Sequence, residues 1–121
     1  MRQYFFDKIR TLTDNVLTTV DRIASVLQQQ GKLAEAEKMF RRALDGQEAT
    51  FGQGHQNTIA PTNNLGLLLR EMGRYDEAEK LFKRVLAGDE KYYGKNSPKT
   101  MTAVSNLAGS LRKKGRFNRT F

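Results

Sequence analysis

The sequence predicts an all-α fold, an αα superhelix in which antiparallel helix hairpins stack side by side as a solenoid. The segment that begins at Gly31 returns in similar form at Gly73, and a third copy begins at Gly115, so the period is 42 residues. A period in this range is typical of stacked supersecondary units. Within each copy the apolar residues recur every three or four positions, which is the spacing of amphipathic helices. No segment shows the alternation of a strand.

Residues 1–12 precede the first full repeat and align in register with the end of a second helix. Their sequence diverges from the repeat, but Phe5, Ile9 and Leu12 can share one helical face. We therefore expect an N-terminal capping or half-repeat helix that packs against the first hairpin.

The first repeat covers residues 13–54. Thr13 and Asp14 provide an N-cap for its first helix, and Gly31 supplies the left-handed residue that ends it. Apolar residues resume at Leu33, so a second helix follows after a tight turn. We expect a two-helix hairpin.

The second repeat covers residues 55–96 and has the same pattern, with Gly73 at the turn. Pro61 lacks a backbone N–H, which indicates that regular hydrogen bonding begins no earlier than about Asn57 or Thr58. Gly46 and Gly88 occupy one equivalent position inside the second helices. This equivalence indicates either close backbone approach of a neighbouring helix or a local bend.

The third repeat covers residues 97–121 and is incomplete. Ser97 and Pro98 form a strong helix start, and Gly115 is expected to end the only helix of this repeat. We expect the chain to be one piece of a longer array, because each hairpin of such an array buries its face only against its neighbours. Several apolar residues would then be left uncovered and would promote self-association: Leu107, Leu111, Phe117 and Phe121.

The repeats resemble the tetratricopeptide repeat, in particular its kinesin-light-chain type. The resemblance rests on the 42-residue period, the triplets that begin at Asn64 and Asn106, the Glu-Ala-Glu start of the second helices and the Phe-Gly-x-Gly-His loop that begins at Phe51. It implies a scaffold that binds a peptide or partner helix in the groove lined by the first helix of each repeat. Similar arrays also form the sensor ends of signalling NTPases. The first copy departs from the pattern with Arg22 in place of asparagine.

The resemblance implies that polar residues on the first helices form the partner-binding groove. An asparagine side chain both donates and accepts, so Asn64 and Asn106 suit a peptide backbone. Alternatively they bond to the backbone of neighbouring helices and rigidify the stack. The arginines would favour an acidic linear motif if they face the groove, and are otherwise solvated. The candidate groove residues are Asp21, Arg22, Asn63, Asn64, Arg70, Ser105, Asn106 and Arg112.

The net charge of +8 raises nucleic acid as an alternative partner, through the basic tail at residues 112–116. Most of the excess lies in residues 98–121, which hold 6 basic and no acidic side chains, so the repeat itself is nearly balanced. The chain has no cysteine, no apolar run long enough to span a bilayer and no secretory signal, and we expect a cytoplasmic protein.

His55 is the only histidine, and no other metal-ligating or catalytic group lies near it in the sequence. A hydrogen bond that fixes its loop is the simpler interpretation. We therefore expect neither an enzyme nor a bound cofactor or metal.

Overall fold

The computed structural model describes residues 2–119, and side chains as far as Gly115. This part of the chain forms helices joined by short turns and contains no strand. The helices are α1 (Arg2–Gln29), α2 (Leu33–Phe51), α3 (Gln56–Glu71), α4 (Tyr75–Tyr93) and α5 (Pro98–Arg119). α1 packs with α2 and α3 with α4, while α2 contacts α3 and α4 contacts α5. The predicted all-α solenoid is confirmed.

The N-terminal segment differs from the prediction. Residues 2–12 form no separate capping helix, because α1 runs through Thr13 without a break. At about 1.5 Å per residue, the 28 residues of α1 extend well beyond the 19 of α2. The first turns of α1 therefore have no helix beside them, and Phe5 and Leu12 are more than half exposed.

The turns within the two hairpins are equivalent. Gly31 and Gly73 both have φ +81°, the left-handed conformation that glycine adopts without strain. The amide of Lys32 donates to the carbonyl of Leu27 at 2.9 Å, and that of Arg74 donates to Leu69 at 2.8 Å. These bonds satisfy carbonyls that the helix ends would leave unpaired.

Gly115 does not end a helix, so that prediction is wrong. α5 continues through it to Arg119, with no left-handed residue at this position. Glycine permits a turn but does not impose one, because it also adopts helical angles.

The core lies between the hairpins and is built from equivalent residues of both. Phe40 and Phe82 are buried at matching positions on α2 and α4, and Leu65, Leu68 and Leu69 of α3 lie among them. Leu107 of α5 packs against the same cluster. The stack is therefore continuous from α1 to α5.

The two register-equivalent glycines leave room for a side chain of the neighbouring helix, so the close approach here is by a side chain and not by backbone. A Cβ at Gly46 would lie 2.7 Å from the side chain of Leu17, and a Cβ at Gly88 would lie 3.0 Å from Ile59. Leu17 and Ile59 are themselves 42 residues apart. The first and second helices of each hairpin thus approach at the same place in both repeats.

The loops between hairpins fix the starts of α3 and α5. Nδ1 of His55 accepts a hydrogen bond from the amide of Asn57 at 3.0 Å, so His55 is the N-cap of α3. Its ring stacks on Phe51 at 4.8 Å between centroids. Oγ of Ser97 accepts from the amide of Lys99 at 3.3 Å, in agreement with the predicted cap.

Candidate functional site

The first helices α1, α3 and α5 form one face of the stack. Side-chain hydrogen bonds link them in sequence: Asn64 of α3 reaches Asp21 of α1, and Asn106 of α5 reaches Asn63 of α3. Two clefts lie along this face, and α2 and α4 provide residues that line them. We call them the first and second clefts.

The first cleft lies between α1 and α3 and has a volume of about 280 Å³. Its walls combine the polar side of α1 with the start of α3, and Gln47 comes from α2. Its lining residues are Asp14, Leu17, Thr18, Asp21, Gln47, Gln56, Asn57, Ala60 and Pro61.

The second cleft lies between α3 and α5 and has a volume of about 300 Å³. It is built like the first, with residues of α4 in place of those of α2. Its lining residues are Gln56, Ile59, Ala60, Asn63, Val85, Asp89, Tyr93, Lys99, Thr102, Ala103 and Asn106.

Almost every residue of the first cleft has a counterpart 42 positions later in the second. Asp21 corresponds to Asn63, and Gln47 corresponds to Asp89. Thr18, Ala60 and Thr102 are three equivalents, one on each first helix, and all are exposed. The face therefore presents the same cleft twice, in line.

The two asparagines of the predicted ladder make bonds within the stack. Nδ2 of Asn64 donates to Oδ2 of Asp21 at 2.7 Å, and Nδ2 of Asn106 donates to Oδ1 of Asn63 at 3.4 Å. Both bonds join successive first helices. The structure thus bonds both asparagines to side chains of the neighbouring helix, and not to its backbone as the alternative expected. Three of these residues, Asp21, Asn63 and Asn106, line the clefts.

The first cleft is acidic and contains acceptors without donors. Nε2 of Gln47 donates to Oδ1 of Asp14 at 2.8 Å, which leaves Oε1 of Gln47 free to accept. No described residue donates to that oxygen or to Oδ1 of Asp21, and both atoms are buried. Desolvation by burial raises the pKa of Asp21, although the hydrogen bond from Asn64 opposes the shift.

The second cleft contains its own cation. Asp89 is buried, and the desolvation raises its pKa, with the charge of Lys99 acting in the opposite direction. The ammonium of Lys99 lies 4.4 Å from the ring centroid of Tyr93. Hydrogen bonds from Gln56 at 2.8 Å and from Lys99 at 3.4 Å lower the pKa of Tyr93.

The predicted arginines are not brought together. The guanidinium of Arg70 lies 5.7 Å from the ring centroid of Phe82, which turns it toward α4. Arg22 and Arg112 are exposed on α1 and α5, and Ser105 is exposed as well. Of the three arginines, only Arg22 is next in sequence to a residue that lines the first cleft, Asp21.

Two exposed apolar surfaces lie outside the clefts. On α5, Leu111 is exposed together with Met101 and Val104, while Leu107 is partly buried by the core. The predicted self-association residues Phe117 and Phe121 lie outside the described side chains. The second surface, which we call the α1 seam, consists of Phe5, Ile9, Leu12, Val16, Ile23 and Val26.

The second helices carry an ion-pair network on the outer side. Glu37 accepts from Arg41 at 2.8 Å and from Arg74 at 2.6 Å. Desolvation opposes the ionised form, but these two arginines hold the pKa of Glu37 below its ordinary value. In the basic tail, Lys114 pairs with Asp76 at 2.6 Å, so this lysine is engaged within the stack.

We also searched residues 2–115 for a metal site, a catalytic histidine and a membrane-spanning helix. His55 serves as a helix cap, and no cluster of three metal-ligating side chains occurs there. None of the helices in the described part of the chain is both long and apolar enough to cross a bilayer.

Comparison with known proteins agrees with this architecture. The family model of the tetratricopeptide repeat matches twice, at residues 15–91 and 57–119. No curated protein matches the sequence. Among solved structures, the nearly identical TPR-like repeats of a protein assigned as a kinesin light chain from Podosopora anserina superpose with a TM-score of 0.75 at 22% identity. The match covers 85% of this chain and 49% of that one, so the chain spans about half its length.

Proposed function

Because this chain belongs to the tetratricopeptide repeat family, we propose that it is a protein-interaction scaffold that holds an extended peptide along α1, α3 and α5. Repeats of this family generally act as scaffolds for other proteins and not as enzymes. The proposal concerns which face of this chain binds, and what kind of segment it takes.

The observation that supports this face most strongly is the repetition of the clefts. Adjacent packed helices lie about 8–10 Å apart, so every second helix of a layer presents an equivalent site at a regular interval. An extended peptide also presents its side chains at regular intervals, on alternate sides of its backbone. Thr18, Ala60 and Thr102 leave this path open, because each is small and exposed.

The polar lining suits a peptide better than an apolar ligand. Gln56, Asn63 and Asn106 line the second cleft with amide groups that can donate and accept. The volumes of 280 and 300 Å³ lie at or below the lower end of small-molecule sites, and suit single side chains. The predicted preference for an acidic motif draws support only from exposed arginines such as Arg22.

A peptide selected against the full chain from a random 12-residue library tests the proposal. Binding measured by fluorescence anisotropy should weaken at least about tenfold in Ala60→Tyr, which fills the path between the clefts. Ala34→Tyr places the same side chain at an exposed position of α2 and should leave binding unchanged. Equal affinity in both variants would remove the first-helix face as the binding surface.

We also propose that the isolated chain forms a dimer through the α1 seam. The seam residues are spaced alternately four and three apart, with Thr19 at the remaining position, which is the heptad spacing of a coiled coil. Ile9, Val16 and Ile23 occupy one heptad position, and β-branched residues there favour two strands. A second copy of α1 is therefore the occupant that fits this surface best.

A further inference from the structure

We infer that the first cleft is a subsite for a basic side chain, a lysine or arginine of the bound peptide, whose N–H groups donate to Gln47 and Asp21. The inference deepens the proposed peptide-binding function and rests on it. Three features of the first cleft support it: its charge, its unused acceptors and its difference from the second cleft.

The charge of the first cleft is negative throughout. Asp14 and Asp21 line it, and none of its lining residues is a lysine or arginine. The only charged partner groups available to these carboxylates within the cleft are therefore those that a ligand brings. A cation close to a partly desolvated carboxylate is favoured by charge-assisted hydrogen bonding.

The unused acceptors give the cleft a specific chemistry. Gln47 is only 3% exposed, and its Oε1 has no donor among the described residues. Oδ1 of Asp21 also has no donor among the described residues, since Asn64 donates to the other carboxylate oxygen. A buried acceptor without a donor is destabilising, and groups of this kind are rare in folded proteins. Two of them on one cleft indicate a ligand that donates and does not accept, as ammonium and guanidinium groups do.

In the second cleft, the chain itself supplies a cation for the acidic group. Asp89 stands where the first cleft has Gln47, and the chain supplies Lys99 beside it. The position equivalent to Lys99 in the first cleft is Asn57, which carries no charge. The first cleft therefore lacks the cation that the second one has, and a ligand side chain can take that place.

The test uses side-chain probes on the full chain, followed by NMR. N-ethylguanidinium chloride and n-butylammonium chloride should produce saturable shifts at the side-chain amide of Gln47 and at the backbone amides of Thr18 and Ala60. Sodium chloride at equal concentration should not. Shifts that do not saturate, or that sodium chloride reproduces, would overturn the inference.

Variants assign the effect to the named groups. Asp21→Asn keeps the size of the side chain and should weaken probe binding about tenfold. Asp45→Asn removes the same charge from an exposed position of α2 and serves as the control, with unchanged affinity. Undiminished binding in Asp21→Asn, with a native spectrum, would contradict the inference.

The selected peptides separate this inference from the proposed function. Replacing the lysine or arginine of such a peptide by methionine should weaken its binding to the wild-type chain but not to Asp21→Asn. If the replacement has no effect while Ala60→Tyr still abolishes binding, the inference fails and the proposed function stands. If the probes bind as expected but Ala60→Tyr binds peptides normally, the proposed peptide path fails.

Discussion

Gln47 and Asp89 each bring a polar group to a buried position of a second helix, at equivalent places in two repeats. Replacing both partners of a buried hydrogen bond by apolar groups of the same shape can be nearly neutral for the fold, whereas removing one partner leaves the other unsatisfied. The proposed subsite would give Oε1 of Gln47 the donor that it lacks among the described residues, whereas Asp89 already has the charge of Lys99 beside it. The proposed subsite would give Oδ1 of Asp21 a donor in the same way.

Asp21→Asn should stabilise the fold at pH 7 while weakening ligand binding. Desolvation raises the folded-state pKa of Asp21 above its ordinary value, so the folded protein binds this proton more readily than the unfolded chain. Asp21 therefore lowers stability as pH rises through the folded pKa, and contributes nothing well below the unfolded value. In urea denaturation the variant should exceed the wild type at pH 7, with the difference shrinking toward pH 3. A variant less stable than wild type at pH 7 would show that the carboxylate is favoured by the fold.

Gly66→Ala should destabilise the protein, although alanine is the better helix former. The new Cβ would lie 2.8 Å from the fully buried ring of Phe82, and such overpacking costs about 1–3 kcal/mol, against a gain of about 1 kcal/mol in helix propensity. Gly115→Ala is the matched control, because nothing lies within 4 Å of its Cβ and it should be neutral or stabilising. Chemical denaturation of both variants decides, and a stabilised Gly66→Ala would mean that the ring of Phe82 moves aside easily.

Residue patterns in the sequence predict the clefts only in part. The 42-residue register identified Asp21, Asn63, Asn64 and Asn106, but Gln47 and Asp89 were missed. The available signal was their place on the buried stripe, four residues after Ala43 and Val85 respectively. The direction of Arg70 had no such signal, because it depends on a ring from another helix.

At the level of helices, α1 is an element of two parts. Its C-terminal half packs on α2 and buries Ala24, whereas residues 2–12 are exposed. The sequence predicted a boundary at Thr13 because capping residues there resemble a helix start. A cap residue is also tolerated inside a helix, and nothing beside it interrupts the backbone hydrogen bonds.

Amide hydrogen exchange should divide α1 at about this point. Amides of residues 4–12 should exchange much faster than those between Leu17 and Leu27, because a helix with no packed face is marginal in water. The measurement belongs in the Val16→Glu background, where the proposed dimer cannot protect the segment. Equal protection along the whole helix would contradict the structure, and would indicate that residues 2–12 are packed.

For the whole molecule, the fold follows from one operation applied repeatedly. Gly31 and Gly73 end helices with the same φ, Gly46 and Gly88 admit the same neighbour contact, and the clefts repeat with the same spacing. The repeated features were predictable because the 42-residue period aligns equivalent residues, so a pattern seen in one copy can be checked in the next. The two ends were not predictable in this way. Residues 2–12 have no second copy to compare with, and α5 continues through Gly115, where the equivalent glycines end their helices.

The oligomeric state tests the proposed dimer. At high micromolar concentration, light scattering after size exclusion should give about twice the 13.8 kDa chain mass. Val16→Glu should yield the monomer because it places a charge inside the α1 seam, whereas Val104→Glu on α5 should leave the dimer intact. A wild-type monomer would exclude self-association. A dimer that is lost only in Val104→Glu would show that the dimer interface lies on α5 and not on the α1 seam.

The most direct test of the central claim is to map a selected peptide on the labelled full chain by NMR. If equivalent positions of the first helices form one continuous binding path, Thr18, Ala60 and Thr102 should all shift on binding, with Lys38 and Lys80 of the second helices unchanged. Shifts confined to α2 and α4, or to a single cleft, would contradict it.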